Sequence, residues 1–185
     1  PEFKVPPAEI INKSFHNAAV RIICQTNFQK HIYDKNLNLP HKTINFSGNL
    51  WSEDSLDLME KYSSVEKNGR GIVIDSPFPQ KGTDYSINFC KEKKWNFDLV
   101  SDPVYESFLN KLSQYSKLVF HPGTPETCCR LVLEAKMMNL EIVTNDLIGA
   151  SYEPWFPQNG KELINTMRNK REGLLNIIRE ARNSK

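Results

Sequence analysis

Short runs rich in β-branched residues, at positions 20–24, 43–46, 71–74, 97–100, 118–120 and 141–144, are separated by stretches long enough to be helices. Strands that alternate with helices pair in parallel through crossover connections, so this spacing predicts βαβ units. Ile72-Val73-Ile74 and Leu118-Val119-Phe120 carry no polar alternation, as expected of strands covered on both faces. The stretches 52–66, 82–94, 103–116 and 125–139 have apolar residues three or four apart, for example Val104, Phe108, Leu112 and Tyr115. The expected fold class is α/β: a Rossmann-like parallel sheet with helices on both faces.

From residue 71 onward the strand–helix order repeats three times and closes on a C-terminal helix, so residues 51–185 read as one Rossmann-like domain. Residues 1–50 read differently. They offer a helix candidate at 8–18, the strand at 20–24, a second helix candidate at 27–34 and a turn-rich stretch at 36–40 before Thr43. That is one βα piece of another unit, an N-terminal stub and linker.

The chain has 185 residues, 39% of them hydrophobic and 25% charged, which suits one globular domain and excludes disorder. Its 24 Lys+Arg against 22 Asp+Glu leave only +2, too little for nucleic-acid binding by bulk charge. No apolar run approaches the roughly 18 residues of a membrane span, and the first residues lack a signal-peptide stretch, so a cytoplasmic location is expected. Cys24, Cys90, Cys128 and Cys129 contain no C-x-x-C, and His16, His31 and His41 have no ligand spacing, so no metal is expected. The charge is uneven. Residues 161–185 carry seven Lys/Arg and three Glu above an apolar stripe of Leu163, Ile164, Met167, Leu174, Leu175 and Ile178. This stripe can dock on the domain with a solvated basic face outside, or rest peripherally on an anionic membrane.

In a doubly wound sheet, ligands bind beyond the carboxyl ends of the strands, where helix N-termini point outward. Two strand ends carry suitable residues. After Ile74, the loop Asp75-Ser76-Pro77-Phe78-Pro79-Gln80-Lys81-Gly82 brings a lysine for phosphate and a glycine that lets an anion near the backbone. It is neither a P-loop nor a G-x-G-x-x-G turn, and a solvated lysine beside a capping glycine is the plain alternative. After Phe120, His121-Pro122-Gly123-Thr124-Pro125-Glu126 predicts a helix over 125–139 with Thr124 as N-cap and Pro125 at the first helical position. Helical phase then puts Glu126, Arg130 and Glu134 on one polar stripe, with the two carboxylates about 12 Å apart along the axis. Such a stripe could grip a long ligand such as a nucleoside-diphosphate sugar, or be an exposed i, i+4 ion-pair ladder.

Pro122-Gly123-Thr124-Pro125-Glu126, Glu134-Ala135, Ile142-Val143-Thr144-Asn145 and Gly149-Ala150-Ser151-Tyr152-Glu153, with Lys81-Gly82 upstream, resemble the donor site of retaining GT-B glycosyltransferases, notably glycosyltransferase family 4. The likeness covers residues 71 to 156. The family's serine is Gly123 here, its Phe-Gly pair is Cys128-Cys129, and the arginine it has shortly before the lysine is absent. The resemblance implies one half of a GT-B enzyme, a hexosyltransferase type of polysaccharide biosynthesis. It would move a sugar from a UDP- or GDP-sugar to a glycan or lipid-linked acceptor, without metal or other cofactor. It makes Lys81 and Glu126 catalytic, and Gly82, His121, Gly123, Thr124, Thr127, Arg130 and Glu134 donor-binding. Because the acceptor domain of such enzymes precedes this one, the chain is expected to be a piece of a longer protein or a reduced relative. The rival expectation is a non-catalytic nucleotide-binding or protein-interaction module of the same fold.

Overall fold

The computed structural model describes residues 16, 18–37 and 42–183. Strands and helices alternate in it: β1 (Ile22–Cys24), α1 (Asn27–Leu37), β2 (Thr43–Asn45), α2 (Glu53–Tyr62), β3 (Gly71–Ile74), α3 (Thr83–Glu92), β4 (Phe97–Val100), α4 (Tyr105–Ser113), β5 (Lys117–Phe120), α5 (Arg130–Met137), β6 (Glu141–Thr144) and α6 (Gly160–Asn183). The helix candidate at 8–18 lies outside the described residues, save for His16 and Ala18, which are helical.

Strands β3 to β6 form one sheet in the order β4-β3-β5-β6, and every neighbouring pair is parallel. The apolar runs serve both faces, as strand alternation requires. Ile72, Leu118 and Phe120 pack with Leu56 and Met59 of α2, Leu109 and Leu112 of α4, Leu133 of α5 and Leu163 and Ile164 of α6. Val73 and Val119 face the other way, onto Cys90 and Phe89 of α3 with Trp95. The α/β, Rossmann-like class with helices on both faces is therefore the observed architecture.

Local chemistry sets the helix ends. Ser52 caps α2, its side chain accepting from the Ser55 N–H at 3.2 Å. Lys67 donates to the Ser113 and Met138 carbonyls at 2.6 and 2.7 Å, answering the ends of α4 and α5 with one cation. On the outside, Arg168 of α6 reaches Glu53 and Glu60 at 3.1 and 3.0 Å and also pairs with Asp57. These pairs orient α6 on α2, but at this exposure solvent screens them and the apolar stripe beneath them does the holding.

The sequence-based helix over 125–139 is corrected. Helix α5 starts at Arg130, Thr124 is not an N-cap, and Pro125 is not helical. Glu126 instead makes a parallel bridge with Ile148: its N–H donates to the Leu147 carbonyl at 2.9 Å, and its own carbonyl accepts from the Gly149 N–H at 2.7 Å. Backbone paired across to another loop cannot also close a helical turn. Cys129, at φ 32°, then breaks the right-handed path just before α5. Glu126 thus leaves the helical stripe, and only Arg130 and Glu134 of the proposed trio share a helix.

The N-terminal piece forms its own parallel pair, β1 with β2, joined by α1. Its anchor on the larger sheet is Glu153, buried at 3% exposure. That carboxylate accepts from the Asn27 N–H at the start of α1 and from the Ser47 hydroxyl, each at 2.5 Å. Trp155 Nε1 adds a bond to the Ser47 carbonyl at 2.8 Å, and the Phe28 and Tyr152 rings stack 6.1 Å apart. The glutamate that ends the glycine-bearing loop in the motif is thus committed to joining the two sheets.

Candidate functional site

Strand β4 lies on one side of β3 and β6 on the far side of β5, so the sheet changes direction between β3 and β5. Their carboxyl ends therefore splay apart and leave a crevice, the place where open α/β sheets bind ligands. Three loops rim it and are tied to one another. The Gly123 N–H donates to the Gln80 carbonyl at 2.8 Å, the Asn145 amide to the Pro122 carbonyl at 2.9 Å, and Glu126 pairs with residues 147–149 as above.

Two glycines make this junction possible. Gly82 caps α3 at φ 67°, and a Cβ there would lie 1.8 Å from the His121 carbonyl oxygen. At Gly149 a Cβ would come within 2.3 Å of the Thr127 carbonyl. Close backbone approach, rather than flexibility, is what both positions require.

The crevice has two lobes that meet at Ser76. The lobe on the α4–α5 side, about 500 Å³, is lined by Lys81, Glu126 and Arg130 over an apolar floor that includes Ile74, Phe108, Phe120 and Leu131. Lys81 sits at the end of a 3-10 turn, Pro79–Lys81, and its ammonium meets the Glu126 carboxylate at 2.6 Å. The two residues expected to be catalytic are thus brought together from 45 positions apart. Asp102 closes the far end; hydrogen bonds from Lys111, from the Ser107 hydroxyl and from the Val104 N–H hold its carboxyl down to about 2.

The lobe on the α3 side, about 670 Å³, is lined by Asp75, Phe78, Gly82, Asp84, Tyr85, His121, Gly123 and Asn145 among others. Of the expected donor-binding residues, Gly82, His121 and Gly123 fall here, away from the Lys81–Glu126 pair. His121 is 6% exposed; burial pushes its imidazole below the usual histidine range, so it is neutral at pH 7.

Glu134, Thr127 and Thr124 line neither lobe. Glu134 is buried, and its Oε1 accepts from Trp51 Nε1 at 2.9 Å, the Tyr105 hydroxyl at 2.8 Å and Arg130 Nε at 3.3 Å. The Arg130 guanidinium also lies over the Trp51 and Tyr105 rings, 5.2 and 5.9 Å from their centroids. Glu134 therefore stands behind the site, fixing Arg130 at its rim, and the same burial and carboxylate push the Tyr105 hydroxyl up to about 12. Thr127 donates to the Gln25 side chain at 2.9 Å, and its carbonyl accepts from Thr26, so it holds the N-terminal piece. Burial pushes the Cys128 and Cys129 thiols up to about 12, which removes both as nucleophiles at neutral pH.

Sequence reasoning missed Trp51, Tyr105, Phe108 and Tyr85. Phe108 and Tyr85 line the crevice, while Trp51 and Tyr105 hold Glu134 and Arg130 beside it; each occupies a stretch whose periodicity reads as helix packing or helix entry, and only the tertiary fold brings them there. Comparisons with protein-family models, curated proteins and solved structures return no match for this chain.

Proposed function

We propose that the smaller lobe binds a nucleoside-diphosphate sugar and that this chain acts as the donor-binding half of a retaining glycosyltransferase. The observation that carries this reading is the Lys81–Glu126 pair at a sheet switch point, with Arg130 on the same wall above an apolar floor. The apolar floor suits a base. Lys81 and Arg130 suit a diphosphate, and Lys81 would offset charge developing on the leaving group. Binding would draw the ammonium toward phosphate and free the Glu126 carboxylate to accept from sugar hydroxyls. Glu134 acts at one remove, as the anchor of Arg130.

One observation favours a second reading, a nucleotide-holding module without turnover: the Glu134 carboxylate, expected to bind the donor, is already engaged by Trp51, Tyr105 and Arg130. Calorimetry with UDP, GDP and their sugars, on the wild type and Lys81→Ala, tests the shared donor site. Binding in the wild type that falls at least tenfold in the variant supports it, and no heat from any nucleotide overturns it. Hydrolysis or transfer of the sugar then separates enzyme from module.

No helix among the described residues is long and apolar enough to cross a membrane. Peripheral membrane contact through α6 is supported by Leu175 and Ile178, 50% and 48% exposed on the same stretch as Arg171 and Arg179. Co-sedimentation with anionic but not neutral vesicles would test it.

A further inference from the structure

The larger lobe has a chemistry opposite to that of its neighbour. Among the described residues no lysine or arginine lines it, while Asp75 and Asp84 do, and neither aspartate makes an ion pair there. Asp84 already sits in the first turn of α3, where it complements the positive helix end. A phosphate would meet repulsion here. Aromatic surface is present instead: Tyr85 and Phe78 both line the lobe while 63% and 58% exposed.

His121 lines the same lobe, more than nine-tenths buried and wedged against Tyr85 and Phe89 with ring centroids 5.1 and 4.7 Å away. Ser86 holds the ring in place. Its hydroxyl oxygen accepts the His121 backbone N–H at 3.0 Å, and the same hydroxyl shares a hydrogen bond with Nδ1 at 3.3 Å. That leaves Nε2, to which no described residue hydrogen-bonds, as the ring atom open to a ligand. The lobe thus offers one ordered imidazole nitrogen, two unpaired carboxylate acceptors and two exposed ring faces. A sugar ring matches all three: its hydroxyls both give and take hydrogen bonds, and its apolar face packs on an aromatic ring.

We propose that this lobe binds a neutral saccharide, with His121 Nε2 hydrogen-bonding one hydroxyl, Asp75 and Asp84 accepting from others, and Tyr85 stacking on the ring. Its place across Ser76 from the donor lobe makes that saccharide the acceptor of the transfer, a role that rests on the glycosyltransferase reading; the binding itself does not.

The test is nuclear magnetic resonance on the full chain, following the His121 ring nitrogens and the Tyr85 amide. Methyl α-glucoside, methyl α-mannoside, N-acetylglucosamine and glucose 6-phosphate are titrated in turn. At least one uncharged sugar should shift the His121 Nε2 signal, glucose 6-phosphate should bind more weakly than its uncharged counterpart, and Tyr85→Ala should weaken binding about tenfold with the fold retained. Signals unmoved by all three uncharged sugars, or tighter binding of the phosphorylated one, overturn the proposal. Titrating UDP into the same sample keeps the two readings apart. Sugar shifts without any UDP response would remove the donor reading and leave the saccharide site. A UDP response without sugar shifts would do the reverse.

Discussion

The two lobes of the crevice share the wall at Ser76 and both draw on the loops after β3 and β5, yet they differ in charge and in how their polar groups are committed. On the α4–α5 side the charged groups neutralise one another, Lys81 with Glu126 and Arg130 with Glu134. On the α3 side the carboxylates stand unpaired beside exposed aromatic rings. One crossover helix faces the first lobe with a cation, the other faces the second with Asp84 and Tyr85. A sheet that changes direction once therefore presents two ligand chemistries at one edge, and substitutions at the shared wall should affect both while those in one lobe leave the other intact.

The largest effect is expected at Gly82, which lines the larger lobe directly after Lys81 of the smaller one. Gly82→Ala would place a methyl group against the His121 carbonyl at a positive φ, where no side-chain movement relieves the clash. A stability loss above about 3 kcal/mol in urea unfolding is expected, with both lobes lost together. A loss under about 1 kcal/mol would mean that the loops around Lys81 and His121 are not locked as described.

Next come the two glutamates, eight positions apart in sequence. Glu134→Ala strands the buried Trp51 N–H and the half-buried Tyr105 hydroxyl and should cost about 2–4 kcal/mol, with Glu134→Gln recovering part of it. Glu126→Ala removes a partly exposed partner of Lys81 and should cost less than about 1 kcal/mol. Equal losses would erase the distinction between a supporting carboxylate and a site carboxylate. Any ligand-binding result with Glu134→Ala needs this stability check first.

Lys81→Ala should leave the unfolding midpoint within about 0.5 kcal/mol of wild type, since its ion pair is partly exposed. Nucleoside-diphosphate affinity should fall about 30-fold, the equivalent of about 2 kcal/mol for a lost charge-assisted hydrogen bond. Sugar-induced shifts at His121 should be unchanged in this variant. If they vanish as well, the lobes are one site.

How much of this was legible beforehand depends on the range of the interactions. The apolar runs at 71–74 and 118–120 announced buried parallel strands because strand burial on two faces is a local pattern, and the loops carrying Lys81-Gly82 and His121-Pro122-Gly123 stood at strand ends as expected. The start of α5 was not legible. Thr124-Pro125 satisfies every local rule for a helix entry, and what overrides it is pairing of Glu126 with Leu147 and Gly149, more than twenty residues away. Glu134 was misread for the same reason: helical phase predicts which way it points, but not that Trp51, 83 positions earlier, donates to it. Gly82, His121 and Gly123 stood out at their strand ends, but their grouping into a separate lobe did not, because the His121 ring is held by Ser86, 35 residues off, on a helix whose outer face reads as solvent-exposed.

The smallest expected effect is a pH dependence confined to the α3-side lobe. His121 titrates below the ordinary histidine range because burial disfavours its charged form. The unfolded chain, with an ordinary histidine, therefore binds a proton first as pH falls. Its contribution to stability is complete above the ordinary histidine pKa, declines as pH drops below it, and is fully lost once the folded-state value is passed. Asp75 and Asp84, which line the same lobe, would stabilise an imidazolium if they approached it, so their distance from the ring decides how low the titration lies. Following the His121 ring resonances between pH 7.5 and 5 should give a midpoint below that of an exposed histidine such as one in a denatured control. A midpoint at or above the control would mean that the carboxylates already contact the ring, and that the lobe holds a cationic rather than a neutral histidine.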